Sequence, residues 1–172
     1  MKKMFAKAIV ALSALAFMLP LGGCMDDNSG KEEEFDTKGV GLFIANEGAY
    51  SRSTASLSYY DPATKEVQNE VFARANGMKL GDTANYVAMF GNKVWIVMNG
   101  SNVVFAINPD TFKEEGRITG LNSPREIHFV SESKAYISQF YDNRIAVVNP
   151  STCEITGYIT VPGMDDSLTA ST

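Results

Sequence analysis

The side chains that proteins use for covalent catalysis are scarce in this sequence. It contains one histidine, His128, and two cysteines, Cys24 and Cys153. They are not accompanied by a Ser–His–Asp order, by a carboxylate pair in a recognisable motif or by a cluster of metal ligands. A hydrolase or a redox enzyme would therefore lack its nucleophile or its ligand set. The sequence predicts a protein that is not an enzyme and that holds no metal and no cofactor.

Side chains suited to noncovalent binding are more common, and they fall in segments rich in turn-forming residues. Aromatic rings can stack on a ligand, while amide and charged groups can hydrogen-bond to it. The candidate ligand-binding residues are Asn46, Glu47, Tyr50, Arg52, Tyr86, Asn99, Arg125, Gln139, Phe140 and Tyr141. Two simpler interpretations stay open, because loop asparagines often only complete turns and Arg125 could form a structural ion pair with Glu126.

The charge balance excludes one large class of partner. The chain has 15 Lys and Arg against 20 Asp and Glu, a formal net charge of −5, and it shows no basic stripe. Binding to a phosphate backbone needs such a stripe, so no nucleic-acid partner is expected. With 45% hydrophobic and 20% charged residues, the chain has the composition of a globular protein.

Residues 1–23 have the three parts of a secretory signal. Lysines stand near the N-terminus, an apolar run covers residues 8–19, and small residues precede a predicted cleavage point. The apolar run is shorter than the ~20 residues that a membrane-spanning helix needs. A cleaved signal peptide is therefore favoured over a retained membrane anchor.

Residues 21–24, Leu-Gly-Gly-Cys, resemble the lipobox of bacterial lipoproteins. The resemblance implies that Cys24 carries acyl chains and begins the mature protein, and these chains would hold it on a membrane. Residues 24–38 are polar and acidic and predict a disordered tether. They resemble the acidic export signal of lipoproteins of the Bacteroides group, which implies an outer-membrane protein exposed at the cell surface. A plain solvated linker is the alternative.

The rest of the chain contains an internal repeat with a period of about 41 residues. Residues 83–121 align with residues 124–162 without a gap, and a shorter copy precedes them around Asp61 and Pro62. The identical pairs in the two full copies are Lys93/Lys134, Asn102/Asn143, Asn108/Asn149, Pro109/Pro150, Thr111/Thr152, Gly116/Gly157, Ile118/Ile159 and Thr119/Thr160.

Each full copy predicts four short strands separated by turns. In the second copy they cover residues 86–90, 94–98, 103–107 and 114–119, and in the third 127–130, 135–138, 144–148 and 155–161. The first copy predicts three strands, at residues 40–45, 57–60 and 66–72, and lacks the innermost one. Four-stranded antiparallel sheets that repeat at this period are β-propeller blades. The predicted fold class is all-β, an incomplete β-propeller of about three blades.

The predicted partial propeller occupies residues 39–172. Blade 1 covers residues 39–75, blade 2 covers 83–121, blade 3 covers 124–162, and residues 163–172 would begin a further blade. Closed propellers have ~4 to 8 blades. The chain is therefore expected to be the first part of a longer propeller, an open arc with unpaired sheet edges.

A propeller would bring the candidate ligand-binding residues to one face. The loops between second and third strands emerge around the central channel together with the connections between blades. Here these are residues 46–54, 99–102 and 139–143, and residues 76–85, 121–126 and 163 onward. That face is the predicted binding site. His128 and Trp95 are predicted to lie in strands, Trp95 in the core.

Several motifs carry a family resemblance. They are Ile44-Ala45-Asn46-Glu47-Gly48, Ser56-Leu57-Ser58-Tyr59-Tyr60-Asp61-Pro62, Asn76-Gly77, Leu80-Gly81-Asp82-Thr83, Ile118-Thr119-Gly120-Leu121-Asn122-Ser123-Pro124-Arg125 and Lys134-Ala135-Tyr136. Together they resemble the start of the YncE-like, YVTN-repeat β-propeller lipoproteins of the Bacteroides group, over residues 39 to about 165. The resemblance implies a surface lipoprotein that captures a small molecule, with cobalamin as the leading ligand, for an outer-membrane transporter. The alternative is a non-catalytic cell-surface scaffold that binds glycan or another outer-membrane protein.

Overall fold

A computed structural model describes residues 41–163 of the chain. The predicted signal peptide (1–23) and the acylated Cys24 with its tether (24–38) lie outside the described residues. So does nearly all of the predicted start of a further blade (163–172). Within residues 41–163, no helix is long and apolar enough to cross a membrane.

The described residues form three antiparallel sheets. Blade 1 has three strands, β1 (Leu42–Asn46), β2 (Ser56–Asp61) and β3 (Glu66–Gln68), and is followed by a helix, α1 (Val71–Asn76). Blade 2 has β4 (Ala84–Phe90), β5 (Lys93–Met98), β6 (Val103–Ile107) and β7 (Glu114–Ile118). Blade 3 has β8 (Pro124–Ser131), β9 (Lys134–Gln139), β10 (Arg144–Asn149) and β11 (Glu154–Thr160). The strands of each blade pair in chain order, so the predicted all-β fold of propeller blades is confirmed.

Two hydrophobic layers hold the blades together, one on each side of blade 2. Successive side chains of a strand point to opposite faces of the sheet, and the residues of β5 follow this rule. Val94 and Ile96 pack towards blade 1, whereas Trp95 and Val97 pack towards blade 3. Trp95 is 1% exposed, as predicted for a core residue. The unbroken apolar sequence of β5 therefore reflects a sheet that is covered on both faces.

The prediction that the third strand of blade 1 reaches Phe72 is wrong. The strand β3 ends at Gln68, and Glu70 takes a left-handed backbone (φ 55°) that turns the chain into α1. Both Val71 and Phe72 are fully buried, although neighbouring residues of an outer strand would point to opposite sides. The ring of Phe72 lies 5.0 Å from that of Phe105 in blade 2. Packing against the next blade thus outweighs the β-propensity of this segment.

The last residue of α1 joins blade 1 to blade 2. The Asn76 Nδ2 donates to the carbonyl of Phe72 (2.8 Å) and to the carbonyl of Phe112 (2.9 Å). Its Oδ1 accepts from the backbone N–H of Glu114 at 2.8 Å. One amide side chain therefore satisfies three backbone groups, two of which belong to the turn before β7.

We expect Asn76→Ala to lower the free energy of unfolding by about 2 kcal/mol, because each part-buried hydrogen bond contributes about 0.5–1.5 kcal/mol. Urea denaturation of the chain followed by circular dichroism measures the loss. The matched control is Asn69→Ala, since the exposed Asn69 accepts from Ser58 Oγ at 2.9 Å. Equal losses for the two variants would contradict the bridging role of Asn76.

Candidate functional site

The loops predicted to share one face do meet there. In blade 2, the Nδ2 of Asn99 in the β5–β6 loop donates to the carbonyl of Pro124 at 3.1 Å. In blade 3, the backbone N–H of Phe140 donates to the carbonyl of Ser123 at 2.9 Å. Each loop between second and third strands therefore touches a connection between blades. We call this side of the sheets the loop face.

The inner strands of blades 2 and 3 each begin with a bulged residue on the loop face. The pairing of β4 with β5 shifts register at Asn85, and the pairing of β8 with β9 shifts register at Arg125. The Nδ2 of Asn85 donates to the carbonyl of Arg125 at 2.7 Å. Bulges re-aim side chains and are common beside functional sites, and here they release the two residues from the strand ladder on the loop face.

One aromatic ring stands beside Arg125, and a second ring stands beside the first. Phe140 is 50% exposed and Tyr141 is 44% exposed, and their ring centroids lie 4.8 Å apart in an edge-on arrangement. The Arg125 guanidinium carbon is 5.7 Å from the centroid of the Phe140 ring, which is within the range of a cation–π contact. We call Asn85, Arg125, Phe140 and Tyr141 the Arg125 cluster.

The loop that carries the aromatic pair is held by hydrogen bonds at both ends. Gln139 is 7% exposed, its Nε2 donates to the carbonyl of Arg144 (3.1 Å), and its Oε1 accepts from the N–H of Asn122 (2.7 Å). Asn122 in turn donates from Nδ2 to the carbonyl of Tyr141 at 2.5 Å. Gln139 is predicted from the sequence as a ligand contact, but its amide is used to hold the loop.

An ion pair closes the same loop. The guanidinium of Arg144 donates to both carboxylate oxygens of Asp142, at 2.9 and 2.8 Å, and lies 4.1 Å from the centroid of the Tyr158 ring. Hydrogen bonds from Arg144 hold the pKa of the Asp142 carboxyl below its usual value. The carboxylate therefore stays ionised at neutral pH, and the aromatic pair is presented on a preorganised loop.

The side chains of two further candidate residues, Asn46 and Asn99, form hydrogen bonds within the fold. The Nδ2 of Asn46 donates to Ser56 Oγ (3.1 Å) and to Ser58 Oγ (2.9 Å), which joins β1 to β2. Asn99 is hydrogen-bonded as well, because its backbone N–H donates to the carbonyl of Thr83 at 2.8 Å and its side chain donates to the carbonyl of Pro124. The side chains of these two asparagines are thus used to hold the fold together, which is the simpler interpretation that the sequence left open.

The remaining predicted residues lie on the β1–β2 loop or inside the fold. Glu47, Tyr50 and Arg52 are exposed on the β1–β2 loop, where Tyr50 is 81% exposed. Tyr86 is half-buried and packs against the core between blades 2 and 3. Ligand contact by any of these residues stays a prediction.

The ungapped alignment of the two full repeats is wrong in their inner strands. Val87 pairs with Ile96, and it is Ile127 that pairs with the corresponding Ile137. His128, which the alignment matched to Val87, is therefore displaced by one position and is an exposed strand residue. The reason is an additional bulge in β8, between Phe129 and Ser131.

The same slip explains why sequence reasoning missed Asn85. Without a gap, Asn85 aligns with Glu126, whereas the structure makes it the counterpart of Arg125. An alignment that allowed a one-residue bulge would have placed the two bulged residues together. Asn122 and Asp142 were also missed, and their sequence context is that of ordinary loop residues.

Two small cavities lie among the described residues. One of about 130 Å³ lies on the loop side beside α1 and is lined by residues including Thr54, Leu57 and Phe72. Another of about 160 Å³ lies between blades 2 and 3 on the opposite side, against Phe90 and Trp95. Pockets that enclose drug-sized ligands measure roughly 300–1,000 Å³. Neither of these two cavities is large enough to enclose a drug-sized ligand.

Residues 41–163 also contain no group of three or more His, Cys, Asp and Glu side chains placed to hold a metal ion.

Burial raises the pKa of the Cys153 thiol, so the thiol stays protonated at neutral pH. Its place, half-buried against the blade 2–3 core, is that of a small apolar side chain.

Comparison with known proteins finds a family and a fold. A family model described as a domain of unknown function, DUF5074, matches residues 40–168. No curated protein matches the chain.

Solved structures that resemble the described fold include the following three. Hydrazine synthase of Kuenenia stuttgartiensis is 18% identical with a TM-score of 0.58, and the match covers 78% of this chain and 39% of that one. A nidogen/laminin complex is 12% identical with a TM-score of 0.52, covering 70% and 43%. BamB from Moraxella catarrhalis is 15% identical with a TM-score of 0.51, covering 76% and 38%. These likenesses show the β-propeller fold, and the chain spans about two fifths of each structure.

Proposed function

This chain belongs to the DUF5074 family, described as a domain of unknown function, and we propose that it is a non-catalytic binding protein that captures a small molecule on its loop face. The Arg125 cluster is the observation that carries the proposal. Two half-exposed aromatic rings and a guanidinium beside them combine stacking surface with fixed hydrogen-bond donors, as binding sites do. The loop under them is already ordered, which lowers the entropic cost of binding.

A large planar ligand with polar groups at its rim is the best match to this site. The rings of Phe140 and Tyr141 offer apolar area, and the side chains of Asn85 and Arg125 offer donors and an acceptor at its edge. Cobalamin has this chemistry and is the ligand implied by the resemblance to YncE-like lipoproteins.

A binding role is favoured over catalysis by the chemistry of the described residues. The one histidine, His128, lies on a strand, and Cys153 is half-buried with a raised pKa. A thiol nucleophile needs an adjacent base or a lowered pKa, whereas burial raises the pKa of Cys153. The Arg125 cluster itself contains donors and aromatic rings but no carboxylate.

The proposed setting of this site is the outer face of the outer membrane. Lipid attached to Cys24 would anchor the protein, and the acidic tether of residues 24–38 would set the blades away from the bilayer. From there the protein would pass its ligand to an outer-membrane transporter. The support for this setting is the lipobox-like sequence and the family resemblance.

The test is a calorimetric titration of the chain with cyanocobalamin. We expect one site with a dissociation constant of about 1 µM or lower, equivalent to about 8 kcal/mol. Adenine nucleotide at the same concentration is the control for nonspecific stacking on the aromatic pair. No heat and no retained ligand at micromolar cobalamin would exclude the cobalamin assignment.

A cell-surface scaffold that binds glycan is the second candidate, and the exposure of the Arg125 cluster favours it. Aromatic rings open to solvent can pack against the apolar faces of sugars, with arginine and asparagine at the hydroxyl groups. A glycan array separates the two functions. Glycan binding without cobalamin binding would support the scaffold and would remove the transporter from the proposal.

A further inference from the structure

The connection between blades 1 and 2 is longer than the repeat requires. It spans residues 69–83 and contains α1, whereas the connection between blades 2 and 3 spans only residues 119–123. In repeat folds, residues that are added to a single repeat lie in loops and often form part of a binding face. The added segment is therefore a place to search for a function that the blades alone do not provide.

The cavity of about 130 Å³ beside α1 lies between this connection and the end of the β1–β2 loop. Its apolar walls are formed by Leu57, Phe72 and Leu80, each 3% exposed or less. Ala73 of α1 also lines the cavity, and its small side chain takes up little of the space. Since an apolar cavity of about 150 Å³ is large enough to hold benzene, this one can hold a branched aliphatic group.

The walls of the cavity are held in place by contacts within and between the blades. The backbone N–H of Ala55 donates to the carbonyl of Gly81 at 3.1 Å, which joins the β1–β2 loop to the connection. The Phe72 ring lies 5.0 Å from that of Phe105 in blade 2, and Asn76 fixes the other end of α1 to the same blade. The cavity is therefore formed before any ligand enters, which lowers the entropic cost of binding.

Two side chains of opposite charge line the same cavity without pairing. Glu70 and Lys79 are both exposed and both line the cavity. Neither of them forms an ion pair with another residue of the range 41–163, and the Glu70 side chain does not cap α1. A carboxylate and an ammonium group are therefore both available to a ligand that lies in the cavity.

We propose that this cavity binds a free α-amino acid with a branched aliphatic side chain, such as leucine or valine. The side chain of the ligand lies against the apolar walls. Its α-ammonium group donates to the Glu70 carboxylate, and its α-carboxylate accepts from Lys79 and from the Ser53 hydroxyl, which lies on the same rim. The site shares no residue with the Arg125 cluster, so the proposal is independent of the ligand bound there.

A zwitterion matches this cavity better than a simple acid or amine does. It pairs with both charged groups at once, whereas an acid leaves Glu70 without a partner and an amine leaves Lys79 without one. A site built around polar partners discriminates strongly against a ligand that lacks one of them. Specificity for the whole amino acid is therefore the expected property of the site.

Calorimetric titration of the full chain with L-leucine tests the proposal. We expect saturation of one site with a dissociation constant below about 1 mM. The control ligands are 4-methylpentanoate, which lacks the ammonium group, and 3-methylbutylamine, which lacks the carboxylate. Each should bind at least about 10-fold more weakly, because one charged hydrogen bond is lost.

Two results of these titrations would overturn the proposal. One is the absence of saturation by L-leucine and by L-valine at millimolar concentration. The other is equal binding of L-leucine and either control ligand, since the site would then not recognise a zwitterion.

Glu70→Gln and Lys79→Met should each weaken L-leucine binding by at least about 10-fold, because each removes one charged partner of the ligand. The matched controls are Glu66→Gln and Lys65→Met. Both residues are exposed at the start of β3, and neither lines the cavity. Equal losses in the two pairs would show that the net charge of the protein, and not the cavity, governs binding.

Ala73→Met tests the cavity itself, because a methionine side chain fits irregular spaces and suits a helix. We expect it to fill the cavity and weaken L-leucine binding by at least about 10-fold, with the urea midpoint of unfolding unchanged. The control is Arg74→Met in the same helix, since Arg74 does not line the cavity. Unchanged binding by Ala73→Met would overturn the proposal, and the two charge variants decide it if Ala73→Met does not fold.

The double substitution Phe140→Ala and Tyr141→Ala separates this proposal from the function proposed for the Arg125 cluster. It should leave L-leucine binding unchanged, because the two sites share no residue. Loss of L-leucine binding in this double variant would place the amino acid at the Arg125 cluster and would overturn the assignment to the cavity.

Discussion

Phe112→Ala should lower the free energy of unfolding by about 3–5 kcal/mol, the usual cost of truncating a fully buried aromatic residue. Phe112 is 0% exposed. Its ring lies 6.0 Å from the Phe43 ring and 5.6 Å from the Tyr59 ring, and it closes a three-ring cluster between blades 1 and 2. Removing it leaves a cavity that the surrounding sheets cannot collapse to fill.

The repeat supplies the matched control for this prediction. Cys153 occupies the equivalent turn position in blade 3, with a nearly identical backbone (φ 57° against 55°). Cys153→Ala removes one sulfur atom from a half-buried place, so we expect a loss of no more than about 1 kcal/mol. Urea denaturation of both variants, followed by tryptophan fluorescence and circular dichroism, measures the difference. Similar losses would show that the three-ring cluster does not stabilise the contact between blades 1 and 2.

The blade architecture could be predicted because the period, the turn residues and the apolar runs all point to it. The run Val94 to Met98 is apolar at every position, and the structure covers it on both faces. The Oδ1 of Asn108 accepts from the N–H groups of Asp110 and Thr111, as is usual for an asparagine that begins a turn. Such features depend on local sequence and on one repeated packing arrangement, so the amino-acid sequence is enough to predict them.

The parts that could not be predicted depend on contacts between distant residues. The sequence around Val71 and Phe72 suits a strand as well as a helix, and only the contact of Phe72 with Phe105 of blade 2 decides between them. The one-residue misalignment of the inner strands of blades 2 and 3 could not be predicted either. The additional bulge at Val130 leaves the length of the repeat unchanged, so an alignment without gaps conceals it.

The structure brings some of the candidate ligand-binding residues together and engages the amides of others within the fold, while ligand contact by all of them stays a prediction. Arg125, Phe140 and Tyr141 come together as a cluster. Asn46 and Gln139, by contrast, use their amides within the fold. An amide in a loop can bind a ligand or a backbone carbonyl with the same atoms, and its sequence context does not distinguish these uses. The loop geometry does, because it shows which amide atoms already have partners.

The double substitution Phe140→Ala and Tyr141→Ala should weaken ligand binding by at least about 100-fold, equivalent to about 2.7 kcal/mol. Exposed aromatic residues that become covered on binding are the usual sites of large losses. The fold should tolerate the change, because the loop is held through the backbone N–H of Phe140 and the carbonyl of Tyr141. Thermal denaturation should therefore show that the free energy of unfolding changes by no more than about 0.5 kcal/mol.

The ligand identified by titration, or by the glycan array, serves as the probe for this double variant. Met89→Ala is the matched control, since Met89 is 58% exposed near the turn end of β4 and away from the loop face.

Arg125→Lys separates charge from geometry, because lysine keeps the charge but cannot present a planar donor fork. We expect it to weaken binding by about 10-fold, between the double variant and the control. If the double variant binds as tightly as Met89→Ala, the site is not the Arg125 cluster, and the exposed β1–β2 loop with Tyr50 and Arg52 becomes the place to search.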